Sequence, residues 1–200
     1  GGYTVKDGVI VPRYSHGEMI EAVFRRTRVT VGLMTSAKLL SAIEPVIMYA
    51  RRRFRGGEGA PGTPRYELGL QQKEDVLHRL VDVWATGEAS CSLGFAAARI
   101  FDDLDPLEKQ KDQVFAGRNL TGRSALKAVT AIQQEALELL QLSAKPAGAR
   151  DEKRFEALKA DPLVQFALLD SQANVLCPAC KLWNTGHGAN MMREAVSLMG

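Results

Sequence analysis

Aromatic residues are scarce in this chain, 6% of its 200 positions, and none of them interleaves with the basic residues at a repeated spacing. A platform for single-stranded nucleic acid needs a planar side chain for each base it holds, so that function is poorly supported. Cysteine is scarcer still. Three residues, an odd number, cannot form a disulfide framework and point to a reducing, cytoplasmic setting. A run of about twenty apolar residues, as a membrane-spanning helix requires, is missing, and so is a signal-like apolar segment. His16, His78 and His187 are scattered, with no serine or cysteine nucleophile at a recognisable elbow. Gly56 to Pro64 is rich in glycine but lacks the Gly-Lys-Ser/Thr step of a triphosphate-binding loop, and it reads as a loop first. There is no initiator methionine, and both ends look cut, so a piece of a longer protein is expected.

What is present is a hydrophobic content of 46% beside 24% charged residues, enough to bury a sizeable core without bulk disorder. Val5, Val9, Ile10 and Val11 stand beside Asp7-Gly8 and before Pro12 and predict a hairpin or a strand end, the last edge of a preceding β domain over residues 1–15. From Gly17 to about Arg53, Ile20, Phe24, Val31, Met34, Leu39, Ile43 and Ile47 recur at helical spacing, with Pro45 expected to kink or divide the helix. A second helix is expected from about Leu68 to Phe101, with Leu70, Val76, Leu77, Leu80, Val83 and Trp84 turned inward. Asp102 to Pro106 reads as a stop and restart. Ser124 to Leu142 is amphipathic, Lys145 to Arg150 reads as a linker, and two helices near Pro162–Trp183 and Asn190–Met199 close the chain. The fold class is therefore all-α: an up-and-down helical bundle with a short β remnant at the N-terminus and, over 16–200, one bundle domain.

The net charge is only +3, but Arg25, Arg26, Arg28, Arg51, Arg52, Arg53 and Arg55 fall at the two ends of one apolar helix. Such clusters are a solvated basic face, a site for a phosphate-bearing small ligand, or a nucleic-acid surface. A dinucleotide or a coenzyme A suits the arrangement best, because the helix breaks directly into a glycine-rich loop.

Two segments carry a family resemblance. Val23-Phe-Arg-Arg-Thr-Arg28-Val-Thr-Val-Gly32 and Tyr49-Ala-Arg-Arg-Arg-Phe-Arg-Gly56 stand one helix apart, and Arg193 to Gly200 closes the chain. In this order they resemble the C-terminal helical domain of the flavin-dependent acyl-CoA dehydrogenases over roughly residues 15–100 and 160–200. The loop after Arg53 is one residue shorter than in that family. Arg25 stands where an acidic residue is usual, Ser197 where glutamine is frequent, and residues 104–160 form an insertion.

The resemblance implies an oxidoreductase that uses FAD to convert an acyl-CoA thioester to its 2,3-enoyl form. Such enzymes are homotetramers or homodimers and pass electrons to an electron-transfer flavoprotein, with no role for nucleic acid. It assigns the acyl-CoA side to Phe24, Thr27 and Arg28, and the FAD side to Arg53, Phe54, Gln71, Gln72, Ser197 and Gly200. Arg53 would meet the flavin pyrophosphate or adenosine across a subunit interface. The catalytic glutamate is expected beyond Gly200, since Thr27 occupies the family's alternative position and cannot remove a proton. The rival is a helical interaction or nucleic-acid-binding module whose arginines meet phosphates.

Cys177-Pro-Ala-Cys180 invites a zinc or redox reading, yet no second pair and no properly spaced second histidine follows it. Two cysteines on one face of a buried helix are expected, with no metal.

Overall fold

A computed structural model describes residues 3–12, 16–53, 69–70 and 73–200. Among them the chain is all-α apart from one antiparallel hairpin, β1 (Tyr3–Lys6) and β2 (Val9–Pro12). The hairpin follows from Asp7-Gly8: both residues have positive φ, 49° and 77°, the backbone a tight two-residue turn demands, and Lys6 faces Val9 across it. Five helices follow: α1 (His16–Arg52), α2 (Glu74–Gly117), α3 (Gly122–Ser143), α4 (Glu152–Ala160) and α5 (Pro162–Ser197).

The helices run longer than their sequences suggest. Pro45 does not divide α1, and Pro106 does not stop α2. A mid-helix proline costs about 3 kcal/mol, but each fully buried aliphatic residue returns about 1.5–3 kcal/mol. Leu39, Ile43 and Val46 are buried around Pro45, and Leu104 is 1% exposed beside Pro106, so burial outweighs the broken hydrogen bond. The final segment likewise forms one helix through Gly186 and Gly188 where two were expected. Nor was α4 anticipated; Asp151 starts it by accepting the Arg154 N–H at 3.0 Å.

Two compact units divide the chain: residues 1–97 with 177–200, and residues 98–176. The first has a core of Leu39, Ile43, Val46 and Ala50 from α1, Val76, Leu80 and Val83 from α2, and Ala195 and Leu198 at the end of the chain. The second, which takes in the 104–160 segment, packs Ile132, Ala136, Leu139 and Leu142 of α3 on Phe155 and Leu158 of α4 and Val164 and Ala167 of α5. Several apolar residues expected inside lie outside. Phe24 is 51% exposed, and Met34, Leu77, Trp84, Leu126, Leu137 and Leu140 are also exposed. Their spacing marks an apolar stripe, but each helix has more apolar surface than its unit covers.

Candidate functional site

α1 ends in Arg51 and Arg52, and the Arg53 N–H closes the last turn by donating to the Tyr49 carbonyl at 2.8 Å. Cations here oppose the negative end of the helix dipole, which is worth about 0.3–1 kcal/mol at an exposed site. A cavity of about 440 Å³ lies against this end, lined by Pro45, Met48, Tyr49, Arg52 and Arg53. Among the described residues neither the Arg52 nor the Arg53 guanidinium has a hydrogen-bond or ion-pair partner, so two guanidinium groups border an open space. Phe54, Gln71 and Gln72 lie outside the described residues.

The chain's last residues arrive at the same end. Gly200 has φ of 104°, and a Cβ built on it would lie 3.9 Å from the Tyr49 hydroxyl. Three residues earlier, Ser197 accepts from Arg79 Nη2 at 2.7 Å and donates to the Glu194 carbonyl at 2.8 Å. Arg79 also pairs with the Glu194 carboxylate, and that hydrogen bond holds its pKa above the ordinary arginine value. Arg79 thus ties α2 to the end of α5. Sequence reasoning missed it; Glu194 and Ser197, one turn apart, mark the receiving face only once a cation opposite them is known.

The residues assigned to the acyl side stand elsewhere. Thr27 turns its hydroxyl back onto its own helix, 3.1 Å from the Val23 carbonyl and 3.3 Å from that of Phe24. Arg28 meets Glu21 at 3.5 Å. From Arg28 to Arg53 is twenty-five residues, about 38 Å of helix at 1.5 Å per residue. One copy of the chain therefore does not bring the two groups of site residues together; it carries them at opposite ends of α1.

Between those ends α1, α2 and α5 approach closely around Asn184, which is wholly buried. Its amide nitrogen lies 3.2 Å from the Gly32 carbonyl, 3.0 Å from Ser36 Oγ and 2.9 Å from the Ser90 carbonyl. Only a donor satisfies three oxygens at once, which fixes the orientation of the amide. Gly32 makes room: a Cβ there would lie 2.8 Å from Cys180 Sγ. Cys177 and Cys180 are 1% and 0% exposed, core residues as their spacing implied, and burial raises both thiol pKa values. No cluster of three or more metal-ligating side chains occurs among the described residues.

Among the described residues one segment, Met19–Arg52, is long and apolar enough to cross a membrane by length and composition alone. A core helix passes the same test, and Leu39, Ile43, Val46 and Ala50 of this segment belong to the core of the first unit. Set beside known proteins, the chain matches no family model, no curated sequence and no solved structure.

Proposed function

We propose that this chain is the helical part of an FAD-dependent acyl-CoA dehydrogenase, an enzyme that oxidises an acyl-CoA thioester to the 2,3-enoyl-CoA. One observation carries the reading: the cavity at the end of α1, where among the described residues the Arg52 and Arg53 guanidinium groups have no partner. A pyrophosphate is a dianion with paired oxygens, and a guanidinium fork is the side chain best matched to it. The donor set therefore fits FAD. Arg53 would hold the pyrophosphate or adenosine, with Tyr49 shaping the same end and Arg79 fixing the turn of α5 that carries Ser197 and Gly200. Bound FAD supplies a hydride acceptor.

The reaction breaks two C–H bonds of the substrate. FAD, when bound, would supply the acceptor for the β hydrogen and its electron pair, and the α proton would have to be taken by a carboxylate for the double bond to form. An electron-transfer flavoprotein would be the partner that accepts the two electrons. Phe24, Thr27 and Arg28 would line the acyl-CoA side, where Thr27 has no basic group and Arg28 is engaged with Glu21. This reading takes the base from outside these residues. The separation of about 38 Å along α1 supports an assembly of two or more copies, because Arg53 of one copy can then serve a flavin whose acyl site belongs to another.

The test is flavin content. Arg53→Ala should lower the flavin-to-protein ratio after purification, with flavin bound at least tenfold more weakly. Unchanged occupancy would remove the reading's main support. If the same arginines bind duplex DNA with an affinity that falls steeply with salt, and flavin not at all, the nucleic-acid reading replaces it.

A further inference from the structure

The first unit holds another cavity, of about 410 Å³, in the groove between α1 and α2, and the flavin reading does not use it. Its size falls within the range of about 300–1,000 Å³ common for ligand sites. Two glycines set its geometry. A Cβ at Gly87 would lie 2.7 Å from Leu40 Cδ2, and one at Gly94 would lie 2.5 Å from Leu33 Cδ2. As the number rises from 33 to 40 on α1 it falls from 94 to 87 on α2, so the helices are antiparallel neighbours. This register sets Trp84 level with Ile43 and Glu44. Arg51 stands seven residues beyond Glu44, about 10.5 Å along the axis.

Ile43 and Ile47 form the apolar floor of the cavity, and the half-exposed Trp84 indole forms a wall. The ring is held because its Nε1–H donates to Glu88 at 3.1 Å. Among the described residues Glu44 and Arg51, both lining the cavity, have no hydrogen-bond or ion-pair partner. A planar aromatic face therefore lies beside a carboxylate acceptor, and a guanidinium donor lies at the far end of the same groove.

We propose that this cavity binds an adenine nucleotide, with the base on Trp84 and the phosphates on Arg51. Aromatic stacking takes the base, the exocyclic amine donates to Glu44, and the guanidinium fork receives the phosphate oxygens. Two carboxylates at the Trp84 end, Glu44 and Glu88, repel phosphate there and fix the ligand's direction. The site does not depend on the flavin reading, because Tyr49 and Arg53 take no part in it.

Trp183→Phe leaves Trp84 as the sole tryptophan of the chain, which has two, so titration with ADP reads the site through its fluorescence. Saturable quenching is expected, weakened tenfold or more by Arg51→Ala and by Glu44→Gln but unchanged by Arg53→Ala. Coenzyme A, run alongside, tells whether a carrier brings the ADP group; ADP binding without coenzyme A binding leaves the free nucleotide as the ligand. Calorimetry with ADP covers the case in which the indole responds weakly. The proposal is overturned if ADP does not bind saturably by either readout, if ribose 5-phosphate binds as well as ADP, or if Arg51→Ala binds ADP like the parent. Both substituted residues are exposed, so loss of binding with unchanged circular dichroism is not loss of fold.

Discussion

Asn184→Ala tests the close packing of α1, α2 and α5 most directly. The asparagine is 0% exposed, and its two N–H groups serve three oxygens on two neighbouring helices. Losing two donors costs about 0.5–1.5 kcal/mol each, and the space vacated in a close-packed interior adds to that. A loss of about 2–4 kcal/mol is expected, a large fraction of the 5–15 kcal/mol that holds a typical domain together. Asn184→Asp should cost more than alanine does. It keeps the shape but turns a carboxylate oxygen toward the Gly32 and Ser90 carbonyls, and an uncompensated buried charge costs about 3–5 kcal/mol. Equilibrium urea unfolding followed by circular dichroism measures both from the shift in midpoint at constant slope. An alanine variant within 0.5 kcal/mol (about one ordinary surface substitution) of the parent, or an aspartate variant more stable than the alanine one at neutral pH, would refute the assignment of the amide nitrogen as the shared donor.

Gly32→Val should destabilise the first unit by about 1–3 kcal/mol, because even a Cβ would stand 2.8 Å from Cys180 Sγ; thermal unfolding measures it. Burial raises the pKa of Cys177 and Cys180, so both thiols should react with a disulfide reagent at pH 8 far more slowly in the native protein than after denaturation, while Cys91, less buried, reacts first. In the second unit, the hydrogen bond from Arg154 lowers the Glu138 pKa. A depressed carboxylate pKa stabilises the fold above its unfolded value of about 4.3, and the contribution is lost as pH falls through the lower folded value. Unfolding of Glu138→Gln between pH 7 and pH 3 should therefore show a shallower loss of stability on acidification than the parent.

The elements legible in the sequence are those whose signals are local. Asp7-Gly8 demands a positive φ at both positions, and the hairpin formed there with the register the turn sets. The α3 periodicity gave a helix of nearly the expected length, and the spacing of Cys177 and Cys180 gave their shared buried face. Reasoning failed where a local penalty met a larger non-local gain. Pro45, Pro106 and the glycines at 186 and 188 are breakers on their own, but the helices continue through them. At Gly188 the reason is visible: a Cβ there would lie 3.3 Å from Thr35, so the small residue serves an approach between helices that no window of sequence contains.

The candidate sites divide along the same line. Arg53 could be chosen from sequence because a helix end and a basic cluster are both local facts. That Gly200 reaches Tyr49, and that Arg79 clasps Ser197, depends on residues more than a hundred positions apart. Exposure is harder still to read. The stripes holding Phe24, Leu77, Trp84 and Leu137 have the spacing of core residues, yet these side chains lie open. Apolar spacing tells which residues share a face; only the count of neighbouring helices tells whether that face is covered. On α1 and α2 that difference separates a packed interior at Val46 and Val83 from the open groove at Glu44 and Trp84. The groove exists because Gly87 admits Leu40 and draws the two helices together beneath it, so the same substitution that widens the helix pair, Gly87→Val, should also reshape the cavity beside Trp84.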